Sequence, residues 1–340
     1  MEILKALILA GGFGTRLGPL AKHIPKAMIV INGNTVLGHL LDKLKEKNIE
    51  PTILTNQKFQ SFFEGYGNIL VEETRRDEEK PGAVSAINNA IKTLRIDEDI
   101  LVLCSDNYFS SDFREFFASY AGEPLIGVYY MGENPEFKPQ EMGTLKFEGS
   151  EGFPPSSKTF YITGFKEKSK QVFSKYVSTG AYIFPKSIFP TLNEYCKEGK
   201  RDNLGSFIEH LVTQGVKVKG YLFSGEWYDI SHKSYLRVFS SGRLIKSDER
   251  YVVCGLGLGN LNLFMTILHP RKQTSGHSRP VSEVYFFVEG QGEIEISDER
   301  RAVKSKDVIP LRPGEFHRIY NTSDKDLVFL CVFEKYEEKG

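Results

Sequence analysis

Short apolar runs separated by stretches of helical spacing organise the first two-thirds of the chain. Leu4–Leu9 reads as a strand. Thr35–Lys47 sets Val36, Leu40, Leu41 and Leu44 on one helical face, and Pro51–Thr55 returns to a strand. Val84–Leu94 is helical, and Ile100–Cys104 is a strand running into Ser105–Asp106–Asn107. This β-α-β-α-β rhythm predicts an α/β fold with a mostly parallel, doubly wound sheet. In such sheets ligands sit at the carboxyl ends of the strands.

The pattern changes near residue 245. Ser240–Gly242 and Lys246–Arg250 read as a polar joint, and helical periodicity ends there. Tyr251–Cys254, Leu263–Leu268, Val284–Val288, Glu293–Ile296, Asp307–Leu311 and Leu327–Glu334 read as strands with turn signals between them. Many short strands at this spacing predict a compact all-β barrel or sandwich. The expected division is therefore 1–245 and 246–340, in line with a chain of 340 residues.

Composition adds constraints rather than detail. Apolar residues make up 40% and charged residues 26%, ordinary values for a globular chain. Lys+Arg and Asp+Glu both number 44, so no net field favours nucleic acid or an anionic membrane, and neither is an expected partner. Apolar runs fall well short of the roughly 18–20 residues that span a bilayer. MEILKALILAGG lacks the basic start and cleavage pattern of a signal peptide. Cys104, Cys196, Cys254 and Cys331 are scattered, which reads as buried thiols of a cytoplasmic protein.

The chemistry concentrates first at LAGGFGTRL (9–17) and Pro25–Lys26. A strand, a glycine-rich turn and two cations, Arg16 and Lys26, form a device for holding phosphates. Gly11, Gly12 and Gly14 let the backbone come close to a phosphate. The spacing fits neither GxxxxGK[ST] nor a dinucleotide fingerprint with its acidic ribose contact.

LAGGFGTRL, IPKAM (24–28), CSDN (104–107), GFKEK (164–168), STGAYIF (178–184) and EWYDIS (226–231) occur in order. Over roughly residues 1–240 the chain resembles the sugar-1-phosphate nucleotidylyltransferases, which have a Rossmann-like mixed sheet. The resemblance implies NTP and a sugar 1-phosphate as substrates, NDP-sugar and pyrophosphate as products, and Mg²⁺ as cofactor. It assigns Arg16, Lys26 and Asp106 to catalysis, and Asp106 with Asp229 to Mg²⁺. Leu9, Ala10, Gly11, Gly12, Gly14, Thr15, Arg16, Gly82 and Ser85 would bind the nucleotide. Glu167, Lys168 and Gly180, the last in the Ser-Thr-Gly turn, would contact the sugar phosphate. Ser85 in PGAVSAI (81–87) stands where relatives carry their base-reading residue, and Ser231 replaces the usual glycine after Asp229–Ile230. Trp227 is expected to pack rather than touch ligand.

Residues from about 251 to 338 resemble a cupin, a double-stranded β-helix barrel. GHSRPVSEVYFFVEGQG (276–292) and PGEFH (313–317) match its two motifs, with His277, Glu283 and His317 at three of the four ligand positions. Arg279 stands at the fourth. Arginine cannot act as a ligand, so the site is either a three-ligand centre for a divalent transition metal or an anion pocket. Tyr285, Phe287 and Phe316 are expected in the barrel core, and GLGLG (255–259) as a loop at the barrel edge. The domain order resembles that of the bifunctional mannose-6-phosphate isomerase/mannose-1-phosphate guanylyltransferases, although Leu17–Gly18–Pro19 stands where those proteins carry an aromatic-Pro pair. Expected roles for the cupin are isomerisation or epimerisation of a sugar phosphate, or non-catalytic sugar sensing or dimerisation; pairing through barrel faces would make the chain a homodimer.

Overall fold

A computed structural model describes residues 5–13, 25–31, 34–74, 76, 82–132, 138–148, 157–199, 203–230, 243–258 and 260–336. It divides into two compact units, one holding residues 24–230 with the first strand, the other the remainder from residue 231.

In the first unit the described elements are β1 (Lys5–Leu9), β2 (Val30–Ile31), β3 (Asn34–Thr35), α1 (Val36–Lys45), β4 (Pro51–Asn56) and β5 (Asn68–Glu72). They continue as α2 (Ala83–Thr93), β6 (Ile100–Cys104), β7 (Asn107–Phe109), α3 (Arg114–Ala118), β8 (Leu125–Tyr130) and β9 (Gly143–Phe147). The unit ends with β10 (Thr159–Glu167), β11 (Tyr176–Phe184), α4 (Phe189–Lys197), α5 (Leu204–Thr213), β12 (Lys219–Leu222) and β13 (Trp227–Asp229).

Nine strands form one mixed sheet in the order β5-β4-β1-β6-β11-β8-β12-β10-β9. The first four run parallel, and β11 enters antiparallel to β6. Side chains alternate across the sheet as strand geometry requires. Ala6 and Ile8 face Leu37, Leu40 and Leu44 of α1, whereas Leu7 faces Val84, Ile87 and Ala90 of α2. Helix α1 starts at Thr35, whose hydroxyl accepts the Gly38 N–H at 2.9 Å; such a cap satisfies a donor left open at a helix start. Apart from the main sheet, β7 and β13 pair antiparallel with Asp229 opposite Asn107.

The second unit is all β among its described residues. Its strands are β14 (Arg243–Ser247), β15 (Tyr251–Leu258), β16 (Leu261–Leu268), β17 (Glu283–Glu289) and β18 (Gln291–Ile296). The remainder are β19 (Glu299–Lys304), β20 (Val308–Leu311), β21 (His317–Tyr320) and β22 (Leu327–Glu334). Six build the sheet β14-β15-β16-β22-β17-β20, and three build β19-β18-β21. A single core containing Tyr251, Tyr285, Phe287, Ile294, Ile319 and Phe329 fills the unit.

Two expectations change here. Lys246 and Ser247, expected in the polar joint, belong to the strand Arg243–Ser247, which pairs with β15. Residues 255–258 of GLGLG lie inside β15, where pairing with β16 holds all four and pairing with β14 holds Gly255, and do not form an edge loop; Gly259 lies outside the described residues. No described helix is long and apolar enough to cross a membrane.

Candidate active site

The turn after β1 is tied down on both sides. Ala10 N–H donates to the Leu54 carbonyl at 2.7 Å, Asn56 Nδ2 to the Gly11 carbonyl at 2.9 Å, and Ser105 N–H to the Leu9 carbonyl at 3.1 Å. The turn therefore rides rigidly on β4 and β6. It opens onto a cleft of about 380 Å³ that crosses the carboxyl ends of the parallel strands. Leu9–Gly12, Lys26 and Asp106 line it, with Glu72, Gly82, Ala83, Ala86 and Lys168 around its rim.

Lys26 sits in a 3₁₀ turn after Pro25, and its Nζ donates to Asp106 Oδ2 at 2.9 Å. The other carboxylate oxygen, Oδ1, accepts from Asn107 Nδ2 at 3.0 Å. Burial pushes the Asp106 carboxyl upward, but the Lys26 charge and these hydrogen bonds outweigh it and hold it below the usual range. The β7–β13 ribbon sets Asp229 opposite Asn107, the neighbour of Asp106, and the next N–H, of Ile230, donates to the Asp106 carbonyl at 2.7 Å. Beneath them the Cys104 thiol is pushed well up, by burial and then by the charges of Asp106 and Asp229. Two hard carboxylates and a cation at strand ends, beside a turn of open N–H groups, can neutralise phosphate charge and hold Mg²⁺.

Glu167 and Lys168 do not form a solvated pair. The Glu167 side chain is 8% exposed, set between Gly143 and Gly205; a Cβ on Gly143 would lie 2.8 Å from its Oε2, and one on Gly205 would overlap it. Lys168, with φ +45°, turns out to the cleft while keeping its Nζ 3.4 Å from Glu167 Oε1.

The second unit gathers another cluster. One ligand atom from each of His277, Glu283 and His317 lies within 4.8 Å of the others. His277 and His317 exchange backbone hydrogen bonds at 3.1 and 2.9 Å, which sets their rings edge to face with centroids 4.4 Å apart. Each Nδ1 faces a carbonyl, of Ser275 at 3.3 Å and of Glu315 at 3.2 Å. A carbonyl only accepts, so both Nδ1 atoms carry the proton and both Nε2 atoms present lone pairs. Burial holds both imidazoles below their ordinary pKa. His277 Nε2 is buried without a hydrogen-bond partner, while His317 Nε2 takes the Tyr285 hydroxyl at 2.8 Å. Arg279 pairs with Glu283 Oε2, which also accepts from the Cys331 thiol at 3.2 Å. Lone pairs aimed inward with their other nitrogen anchored suit a metal ligand set. Glu283 Oε1 completes three donors.

The nucleotidyl transferase family profile matches residues 5–242, more than half of the chain, and a cupin domain profile matches residues 264–333. The chain belongs to the nucleotidyl transferase family. Among curated relatives, this nucleotidyl transferase is 26% identical over 234 residues to the bifunctional protein GlmU of Methanocaldococcus jannaschii, covering 67% of this chain and 51% of that protein. It is 26% identical over 257 residues to the glucose-1-phosphate adenylyltransferase of Fusobacterium nucleatum, covering 66% and 62%. It is 23% identical over 241 residues to the UTP–glucose-1-phosphate uridylyltransferase AglF of Haloferax volcanii, covering 67% and 92%. The nucleotidyl transferase thus spans about half the length of the GlmU proteins it matches. In fold it is similar to a UDP-glucose pyrophosphorylase complexed with UDP-glucose, with TM-score 0.56, 17% identity, and 70% of this chain and 97% of that one covered. An inositol-1-phosphate CTP transferase from T. maritima gives TM-score 0.55 and 16% identity, with 69% and 91% covered.

The nucleotidyl transferase brings Leu9, Ala10, Gly11, Gly12, Lys26, Gly82, Asp106 and Lys168 to one cleft. Gly14, Thr15 and Arg16 lie outside the described residues. Ser85 is on α2, but the residues of that helix lining the cleft are Ala83 and Ala86. Gly180 is not in a turn: it lies inside β11, where its N–H donates to Asn107 Oδ1 at 3.0 Å. A Cβ there would come 2.6 Å from Asn107 Cγ and Cys104 Cβ, so the glycine makes room for Asn107. Tyr285 is buried as expected, yet its hydroxyl also joins the His317 site. Phe287 is core, and Phe316 is half-buried against Gly276. Asn107, Glu72 and Cys331 are the site residues that sequence reasoning missed. Only Asn107, next to Asp106, carried a local signal.

Proposed function

We propose that the chain is a sugar-1-phosphate nucleotidylyltransferase that converts an NTP and a sugar 1-phosphate to an NDP-sugar and pyrophosphate. The observation that carries this reading is the Lys26–Asp106 pair beside Asp229, at the carboxyl end of β6 and next to the Gly11–Gly12 turn. The nucleophile is a phosphate oxygen, already ionised, so no general base is needed. It forms a bond to the α-phosphorus as the bond to the bridging oxygen breaks, and pyrophosphate departs with the electron pair. Lys26 places an ammonium where the α-phosphoryl charge develops, and the turn N–H groups position the triphosphate. Mg²⁺, held by Asp106 and Asp229, would supply further charge neutralisation at the phosphates. Lys168 is placed to meet the sugar phosphate, and Glu167, fixed between two glycines, to accept from a sugar hydroxyl.

The test is pyrophosphate release across NTPs and sugar 1-phosphates. We expect release only with a matched pair. Asp106→Ala/Asp229→Ala should abolish it, and wild-type turnover by that double variant would refute the Mg²⁺ assignment.

For the cupin, the inward lone pairs of His277 and His317 favour a divalent transition metal held with Glu283. The ligand set is compatible with a second, isomerase or epimerase activity on a sugar phosphate, and a non-catalytic sensing or dimerising barrel is its alternative. Metal analysis of purified protein, with His277→Ala/His317→Ala as control, separates them: no stoichiometric metal and no isomer interconversion leave the barrel non-catalytic.

A further inference from the structure

We infer that Tyr285 is a metal ligand: its phenolic oxygen joins His277, Glu283 and His317 as the fourth donor of the second unit's cluster. This rests on that cluster holding a divalent transition metal. Arg279 stands at the fourth ligand position of the motif, and an arginine cannot coordinate. Its guanidinium is held by Glu283 Oε2 and lies over the Phe333 ring, 4.3 Å from the centroid. The motif alone therefore leaves the donor set one short.

Strand β17 supplies the replacement. Glu283 and Tyr285 are alternate residues of that strand, 2% and 4% exposed, so both side chains point into the unit. The Tyr285 hydroxyl oxygen lies 2.8 Å from His317 Nε2 and 3.4 Å from Glu283 Oε2. Glu283 Oε1 lies 3.7 Å from the same His317 nitrogen. Donors bound to one metal at about 2.0–2.2 Å stand roughly 2.8–3.6 Å apart, from octahedral to tetrahedral angles. The phenolic oxygen is thus already at a ligand's distance from its neighbours. Its hydrogen lies on the His317 lone pair, so a metal bonded to that nitrogen takes the hydrogen's place beside the oxygen.

Charge favours the same assignment. Arg279 offsets the Glu283 carboxylate, and the two histidines are neutral imidazoles, so these groups bring no net negative charge to a dication. A phenolate brings one. Binding breaks the Tyr285 O–H bond, forms the oxygen–metal bond and releases the proton to solvent. Burial by itself disfavours the phenolate, and the charge of a bound cation opposes that effect. Cys331 is the other neighbour with a donor atom. Its thiol turns to Glu283 Oε2 at 3.2 Å and falls outside the group of mutually close ligand atoms.

The experiment titrates Zn²⁺, which has no redox chemistry, into the full chain as wild type, Tyr285→Phe and Cys331→Ser. His277→Ala/His317→Ala serves to subtract binding elsewhere. Wild type should bind one Zn²⁺ above that control and ionise one tyrosine per metal, read in the near-ultraviolet difference spectrum. Tyr285→Phe should lose the signal and bind Zn²⁺ at least about tenfold more weakly, and Cys331→Ser should keep both. If Tyr285 only donated a hydrogen bond to His317, phenylalanine would free the nitrogen's lone pair. Unchanged or tighter Zn²⁺ binding by Tyr285→Phe would therefore overturn the assignment. A signal that Cys331→Ser removes and Tyr285→Phe keeps would move the fourth donor to the thiol and overturn it too. One bound Zn²⁺ without tyrosine ionisation in the wild type would overturn it whatever the variants do, and leave the three-donor metal reading standing. No Zn²⁺ above the control would overturn both.

Discussion

Asn107 connects three parts of the first unit through one amide. Its Oδ1 accepts from the Gly180 N–H at 3.0 Å and the Trp227 indole N–H at 2.8 Å, and its Nδ2 donates to Asp106 Oδ1 at 3.0 Å. With Lys26 on Oδ2, both oxygens of Asp106 are fixed. Asn107 is thus a positioning residue, acting through Asp106. Trp227, expected to be packing, packs against Tyr129 and also sets the amide's orientation. Asn107→Ala should weaken the apparent Mg²⁺ affinity of turnover about 10- to 100-fold, the range for losing a partner behind a metal ligand. The check is turnover against Mg²⁺ concentration at saturating substrates; an unchanged Mg²⁺ curve with only a lowered melting temperature would make the role structural. Gly180→Ala drives a methyl into Asn107 and Cys104 and should cost about 1–3 kcal/mol in a denaturant titration. Lys26→Ala removes the ammonium that pairs with Asp106 in the cleft and, on the proposed reaction, should lower kcat by about 10²-fold or more, read under single-turnover conditions.

At the scale of elements, what the sequence disclosed followed how evenly each element buries its residues. Strand β6 and helices α1 and α2 emerge within a residue or two of the predicted limits because a whole stripe or run is buried. Strand β19 escaped because Val303 is its one buried residue, so no alternation marks it. In β21 the inward residues are His317 and Ile319, and a buried histidine breaks the apolar signal. The carboxylates Asp106 and Asp229 were legible as motifs, but their meeting depends on the β7–β13 ribbon, a pairing across more than a hundred residues that no local pattern encodes. The same holds for Glu167, whose seat is completed by Gly205 in the first turn of α5. Gly205→Ala should push the Glu167 carboxylate out of that seat. We expect the KM for the sugar phosphate to rise about tenfold, with the KM for the NTP little changed. Equal rises in both constants would show that the helix, rather than Glu167, was disturbed.

Across the whole molecule, each unit closes its own core. Residues such as Leu7, Leu54, Val102 and Phe184 on one face of the mixed sheet, and Ile8, Leu40, Leu103 and Phe109 on the other, form the first unit's own two cores. The second unit likewise has its own core of Phe287, Ile294, Phe329 and their neighbours. The residues lining the cleft all belong to the first unit, and the His277–Glu283–His317 cluster belongs wholly to the second. Two sites with separate linings and separate cores should respond to separate lesions. His277→Ala/His317→Ala should remove bound metal, measured by elemental analysis, and leave the dissociation constant for NTP within about twofold. Deletion of residues 243–340, from the start of β14, should likewise keep NTP binding that Lys26→Ala weakens. If the deletion instead costs tenfold or more in NTP affinity while the truncated chain retains its cooperative melt, the cupin domain takes part in nucleotide binding, and the joining of the two domains has its reason in the first reaction rather than in a second one.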